Sequence, residues 1–414
     1  MNKNDVVVVG GGLAGLMAAA VAVKRGKKVL LLTKGVGAIA IGGGSIDVLG
    51  YGVDGRPLKS PAAGLYQLSP AHPYARIGHQ GVTAALAAFL ELTAAEGYPY
   101  VGSITQNQWL PTAVGTLKPS CLVPKTMEPK GLKAASQVTV VGFTGLKDYY
   151  PELVVDGLRQ QPGFDKTYNI SMLESGLAQG RDLTALDIAR WLDKEAGRKL
   201  CIEQLGRVLT PGAVVLVPPV LGTSPDYLVA DELSQATGCS FIEITGPPPA
   251  VTGLRLRTML IRYLKKQGVD IVEQANVSGA IVEGGRCQAV ITSNVDRKRS
   301  YYADAFILAT GGFFGGGLEA MPGKARELIF DLPVTVSTEQ AEWSNPKLFA
   351  AGGQPFARLG VAVDEALRPI GGAGEALLAN VHIAGQTLAG YDYAWEKSGN
   401  GVAIASGYQA AMSI

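Results

Sequence analysis

The residues best placed to do chemistry stand at the start of the chain. Asp5-Val6-Val7-Val8-Val9 runs directly into Gly10, Gly12 and Gly15, spaced as GxGxxG. Each glycine has a physical use there: Gly10 permits a tight strand-to-helix turn, Gly12 lets a pyrophosphate approach the backbone, and Gly15 lets the helix pack closely on the strand. A helix starting at Leu13-Ala14 aims free N–H groups and its dipole at phosphates. A second apolar strand, Val29-Leu30-Leu31-Leu32, follows. Such folds usually place Asp or Glu at its end to accept both ribose hydroxyls. This chain has Thr33 and then Lys34. A hydroxyl lacks charge, and losing a charge-assisted pair costs about 1–3 kcal/mol. Three ligands stay open: FAD with Thr33 at its ribose, FMN with no adenosine to hold, and NADP with Lys34 at a 2′-phosphate.

The elements that must position these residues follow from periodicity. Residues 5–33 read as β-α-β, with the helix over Leu13–Arg25 stopped at Gly26. Residues 34–64 are turn-laden around Gly42-Gly43-Gly44-Ser45, and Val82–Glu96 carries a helical pattern. Between about 100 and 250, the apolar strands Val138–Val141 and Val214–Val217 alternate with helical patterns over Tyr150–Gln160, Thr184–Glu195 and Pro225–Thr237. Pro247-Pro248-Pro249 closes that block. A basic helix over Gly253–Gln267 follows, whose Arg255, Arg257, Arg262, Lys265 and Lys266 read as one solvated face. Val269–Val272 fits a third parallel strand, residues 277–303 a β-meander turning at Gly284-Gly285, and Ala305–Leu308 an apolar strand ending in Ala309-Thr310-Gly311-Gly312. A last short strand, Val381–Gly385, precedes a helix over Gly401–Ala411.

Bulk properties narrow the class. The chain has 414 residues, 47% hydrophobic and 17% charged, enough for two domains or one elaborated domain with a filled core. A net charge of +2 argues against a nucleic-acid partner. Cys121, Cys201, Cys239 and Cys287 are scattered with no CxxC, which excludes the usual thiolate frameworks for zinc or iron–sulfur clusters and suits a reducing cytosol. The apolar N-terminus is broken by Gly10-Gly11-Gly12 and flanked by Asp5 and Lys24, so it reads as βα rather than as a targeting segment. No uncharged apolar run reaches the roughly 18 residues of a membrane span.

The motif order resembles the flavoproteins with two dinucleotide folds. The matching segments are Gly10–Gly15, Leu308-Ala309-Thr310-Gly311-Gly312 and the C-terminal strand-glycine-helix unit. The resemblance implies an α/β, Rossmann-like FAD/NAD(P)-binding domain in two parts, 1–100 and 251–414, split by an inserted α/β cap over 101–250. It implies cofactor contacts at Thr310, Gly311, Gly385 and Gly401, and it disfavours NADP. Further stretches resemble the B subunits of anaerobic glycerol-3-phosphate dehydrogenases: Thr33-Lys34-Gly35, Gly43-Gly44-Ser45-Ile46-Asp47-Val48-Leu49, Ala71-His72-Pro73-Tyr74, Val140–Leu146, Gly253–Leu256, Gly312–Leu318, Gly360–Pro369 and Ala389-Gly390-Tyr391-Asp392. They cover nearly the whole chain in order. That family implies a flavoprotein subunit of a three-part complex, with an FAD-bearing A subunit and a C subunit that carries iron–sulfur clusters and docks on the membrane. Electrons from glycerol 3-phosphate pass to quinone through the C subunit, leaving dihydroxyacetone phosphate. This chain would be cytoplasmic, held at the inner face of the membrane by its partners, with Gly43, Gly44, Ser45 and Asp392 near the cofactor. The family assignment favours FMN; the GxGxxG motif favours FAD, since FMN has no pyrophosphate.

Catalytic candidates are few. His72, His79 and His382 are the only histidines. His72 sits in a Pro-Ala-His-Pro loop able to face a cleft, His79 has no supporting context, and His382 lies in an apolar strand as a structural residue. Arg358 and Arg368 flank an apolar stretch and could clamp a phosphate or contact a partner, and Asp364-Glu365 reads as a turn. With no evident base and anion clamp, the subunit reads as an electron relay. The competing readings are a self-sufficient fumarate-reductase-like or amino-acid-oxidising flavoenzyme and a cofactor-less assembly subunit.

Overall fold

The four-valine run becomes the centre of a sheet because it is apolar on both faces. In the computed structural model, which describes residues 3–294, 297–337 and 339–414, β1 spans Asn4–Val9, α1 Leu13–Lys24 and β2 Val29–Thr33. Val6–Val9 and all of β2 are buried, as parallel strands covered on both faces must be. The sheet runs in the order Asp270–Glu273, β2, β1, Arg297–Leu308, Arg286–Asn294, Val277–Glu283, with Val381–Ile383 also paired to Arg297–Leu308. The 297–308 strand has two jobs. Its first half pairs antiparallel within the meander, and its second half lies parallel to β1 and to Val381–Ile383. The meander and the apolar strand read separately from sequence are therefore one continuous strand.

Helix α1 is buried along most of its length between the sheet, the helix Val251–Lys266 and the C-terminal helix Gly399–Met412. Close approach of α1 to the C-terminal helix requires Gly407, where a Cβ would sit 2.3 Å from the Ala14 carbonyl oxygen. The helical pattern read at Val82–Glu96 extends back to Pro73, with a break at Gly78 (φ 78°). His72 supplies the earlier start: its Nδ1 accepts the Tyr74 N–H at 3.0 Å, and Pro73 follows as the first helical residue.

Residues 132–244 enclose a second core. It is built on a four-stranded parallel sheet ordered Ser240–Glu243, Val214–Val217, Gln137–Phe143, Thr167–Leu173. The edge strand Thr167–Leu173 left no apolar signature in the sequence, since its Ile170 and Met172 are exposed. The hairpin segments between residues 100 and 124 lead into this unit, yet Cys121 and Leu122 pack into the first core.

One side chain overturns a sequence expectation. Arg255 does not belong to a solvated basic face: it is fully buried and makes two 2.7 Å bonds to Glu243, also fully buried. Arg255 Nε donates to Gly222 O (2.7 Å), while Glu243 accepts from the Thr126 hydroxyl (2.7 Å) and the Leu221 N–H (2.8 Å). Burial pushes the Glu243 carboxyl up, but the Arg255 charge and these hydrogen bonds outweigh it and hold the group below the usual carboxylate range. Helical periodicity placed Arg255 with its basic neighbours; a carboxylate on a distant strand decided otherwise. Glu243→Gln leaves a buried guanidinium without a counter-charge, and denaturant unfolding should lose about 3–5 kcal/mol. The double replacement Glu243→Leu with Arg255→Met should recover most of that loss, because two apolar groups leave no charge stranded.

Candidate cofactor site

The three motif glycines are not equivalent. Gly10 has φ +124°, and a Cβ there would lie 2.1 Å from Ala309 O; at Gly15 it would lie 1.9 Å from Gly10 O. The fold itself demands these two. Gly12 is different: it caps α1 at φ −80°, ψ 178°, a conformation open to any residue, and a Cβ there would meet nothing within 4 Å. No side chain caps α1 and no acid sits in its first turn. The amides of Leu13, Ala14 and Gly15 lie too early in the helix for intrahelical partners. The helix end at Gly12 is therefore uncapped by any side chain and positively polarised, with N–H donors free to meet an anion, which fits a pyrophosphate.

Neighbouring candidates converge on this point. The Ala309-Thr310 backbone packs on Gly10, and Gly385 (φ +72°) packs on Ala14, where a Cβ would come within 2.9 Å of its methyl. The buried Thr310 hydroxyl has no partner, and the adjacent Gly311 (φ +83°) accepts the Thr387 hydroxyl at 3.1 Å. That hydroxyl lies against Gly317, where a Cβ would come within 2.4 Å of it, so it is enclosed by the glycine turn that follows the strand. Thr33 does not offer its proton: its buried hydroxyl turns inward, beneath Gly11, and donates to Gly35 O. Lys34 is exposed. The end of β2 itself therefore carries no acid; the nearest carboxylate in register is the exposed Glu273, paired with Thr33 on the neighbouring strand Asp270–Glu273.

A second cluster joins the glycine-rich loop to the C-terminal helix. Gly44 (φ +75°) packs on Thr252, Thr252 Oγ1 donates to Gly43 O (2.8 Å), and Asn400 Nδ2 donates to Ser45 O (2.7 Å). Gly401 corrects an expectation. Its N–H donates to Asp47 O at 3.0 Å, and a Cβ there would sit 2.2 Å from the Tyr74 hydroxyl, so it is a packing position and not a free donor. Sequence reading missed the side chains beside it. Lys118 reaches Asp47 at 2.6 Å and Ser45 Oγ at 2.9 Å, and the Ser120 hydroxyl also bonds Asp47. No local pattern marks Lys118, because its partners lie far from it in the chain.

The remaining candidates are occupied elsewhere. His72 is buried, accepts from Tyr74 through Nδ1, and pairs through Nε2 with Glu396 at 3.1 Å, so neither ring nitrogen is free for base chemistry. Asp392 caps the turn Tyr393–Glu396, accepting the N–H groups of Ala394 (3.1 Å) and Trp395 (3.0 Å), and it is buried with those bonds made. Arg368 pairs with Asp364 at 2.8 Å across a turn. His79 stacks on Tyr66, with ring centroids 5.3 Å apart. His382 is buried with Nδ1 2.7 Å from Ala366 O, and burial lowers its pKa below the ordinary value. All four cysteines are buried, and burial pushes the Cys121, Cys201 and Cys287 thiols up to about 12, so they are unreactive. Among the described residues no helix is long and apolar enough to cross a membrane.

Two outcomes are expected. Gly12→Val should cost about 1 kcal/mol or less as a poorer helix cap, yet abolish flavin retention, whereas Gly15→Val should fail to fold. Flavin content and far-ultraviolet circular dichroism of the two variants separate the cases. For His382 the folded pKa is depressed, so its contribution is complete above the unfolded value of about 6.5 and is lost as pH falls toward the folded value. The melting temperature of the wild type should therefore drop below about pH 6.5, and His382→Gln should flatten that part of the curve.

Comparison with known proteins agrees with this geometry. Residues 5–402 match the family described as FAD binding domain. The chain is 32% identical to the B subunit of the anaerobic glycerol-3-phosphate dehydrogenase of Vibrio cholerae serotype O1 (strain ATCC 39315 / El Tor Inaba N16961), covering 100% of this chain and 97% of that protein. It is 30% identical to the protein of the same name from Vibrio vulnificus (strain CMCP6), over 100% and 99% of the two chains. The relative from Pectobacterium carotovorum subsp. carotovorum (strain PC1) is 28% identical, over 100% and 98%. A Rossmann-like flavoprotein with this match belongs to the FAD-binding domain family and, within it, to the family of anaerobic glycerol-3-phosphate dehydrogenase B subunits.

Proposed function

We propose that this chain is the FAD-carrying subunit through which a glycerol-3-phosphate dehydrogenase passes electrons. Oxidation of glycerol 3-phosphate to dihydroxyacetone phosphate releases two electrons and two protons. FAD held at the α1 N-terminus would take those electrons on toward iron–sulfur clusters of a partner, where with the protons they would reduce a quinone. Bound flavin supplies the acceptor for the two electrons; the residues of this chain hold and orient it. The observation that carries the reading is Gly12: neither its conformation nor its neighbours require glycine, and an uncapped helix end opens beside it. A pyrophosphate explains both features, which favours FAD over FMN.

In this reading Gly10, Gly12, Leu13, Ala14 and Gly15 hold the pyrophosphate. Thr310, Gly311 and Gly385 line the path toward the ring, and Gly43, Gly44 and Ser45 close it from the loop side. Residues 101–250 act as a cap fixed by the Arg255–Glu243 pair. Two further subunits, one bearing FAD and one bearing clusters, complete the enzyme and hold this chain at the inner face of the membrane. The test is co-expression of the complex with Gly12→Val in this chain. The expected result is an assembled complex that no longer reduces a quinone analogue with glycerol 3-phosphate. Full activity in that variant contradicts the reading and favours a cofactor-less assembly role.

A further inference from the structure

A cleft of about 460 Å³ opens between the start of the helix Pro73–Ala95 and the segments 335–337, 358–363 and 389–390. Its lining contains two arginines, Arg76 and Arg358, and no carboxylate. What sets these two apart is that both line one cleft without an acid, whereas Arg198, Arg255 and Arg368 each pair with a carboxylate. Among the described residues the Arg76 guanidinium has no hydrogen-bond or ion-pair partner. Arg358 uses one N–H on Gly352 O (3.0 Å) and meets no acid. Of the two lining hydroxyls, Ser337 is turned to Glu342 at 2.6 Å, so the arginines are the principal donors.

The backbone holds these two cations in one cleft. His72 caps the helix that carries Arg76. Gly390 has φ +92°, and a Cβ there would lie 2.3 Å from Ala71 O, so only glycine lets the two segments close together. The Gly390 N–H donates to Arg358 O at 3.0 Å and fixes the second arginine's backbone. The cleft also abuts the candidate flavin loop. Val361, which lines it, donates its N–H to Thr387 O (2.8 Å), and the Thr387 hydroxyl donates to Gly311 O (3.1 Å).

We infer that Arg76 and Arg358 form an anion subsite that holds the phosphate of a small phosphomonoester against the flavin end of the site. Guanidinium forks suit phosphate oxygens, and the volume suits a ligand of a few carbons. The inference rests on the preceding proposal for its ligand, glycerol 3-phosphate. It goes beyond that proposal by giving this chain a substrate contact, which a pure relay does not need. It keeps Arg358, one of the two phosphate-clamp candidates in the sequence, and replaces Arg368, which pairs with Asp364, by Arg76, which no motif marks.

The experiment is titration calorimetry on the FAD-loaded full chain, with glycerol 3-phosphate, inorganic phosphate and glycerol as probes. Glycerol 3-phosphate should bind, inorganic phosphate should compete with it, and glycerol should not bind. Arg76→Gln and Arg358→Gln should each weaken glycerol 3-phosphate by about tenfold or more, the size expected for a lost charge-assisted hydrogen bond. Flavin content and melting temperature should stay at wild-type values, and Arg207→Gln on the cap should change nothing. Failure of the wild type to bind either phosphate compound overturns the inference, as does affinity unmoved by both arginine substitutions. Variants that keep their affinity but no longer assemble with their partners also overturn it, and mark the cleft as an interface. Flavin content reports separately on the preceding proposal, since a chain that never loads FAD fails there first.

Discussion

The contact on which the two cores depend is the buried pair Arg255–Glu243. Glu243 ends a strand of the cap sheet, and Arg255 sits in the first turns of the helix Val251–Lys266, which packs on α1. That helix also forms the wall against which the glycine-rich loop closes. A Cβ at Gly253 would sit 2.1 Å from Gly42 O, and Thr252 bonds Gly43. The ion pair thus ties the cap strand to this helix, and Thr252 and Gly253, three and two residues before Arg255, seat the glycine-rich loop on the same turn. In water such a pair would be worth little. With both partners dehydrated, its geometry and its additional hydrogen bonds decide whether the arrangement is tolerable.

The second constraint is space without side chains. Gly10, Gly15 and Gly407 are filled against by carbonyl oxygens of neighbouring segments, so they serve the fold. Gly12 faces open space at an ordinary φ, so no contact within the fold requires glycine there. This distinction separates a glycine-rich βα turn from a binding site, and spacing alone does not make it.

Much of the architecture was legible in the sequence because it rests on local pattern. The β1-α1-β2 unit, the parallel strand at 270, the meander and the final strand-helix pair all carry periodicity or turn glycines. Features set by distant contacts were not legible. Arg255 looked solvated because its helix is basic on that stretch, and the deciding Glu243 lies on another domain's strand. Gly401 looked like a helix-end donor, but Asp47 O, far away in sequence, takes its N–H. His72 looked like a loop base, and Glu396 and the Tyr74 amide instead make it a helix cap. Asp392 likewise spends its carboxylate on its own turn. Lys118 and Arg76 carried no motif, and only the fold brings each to its place.

The central claim is that the open end of α1 at Gly12 holds the pyrophosphate of FAD. The most direct measurement is mass identification of the flavin released from the purified chain, with its stoichiometry. FAD is expected at about one molecule per chain, the single site that one GxGxxG turn provides. Release of FMN in that ratio, or of no flavin after co-expression with the partner chains, would contradict it.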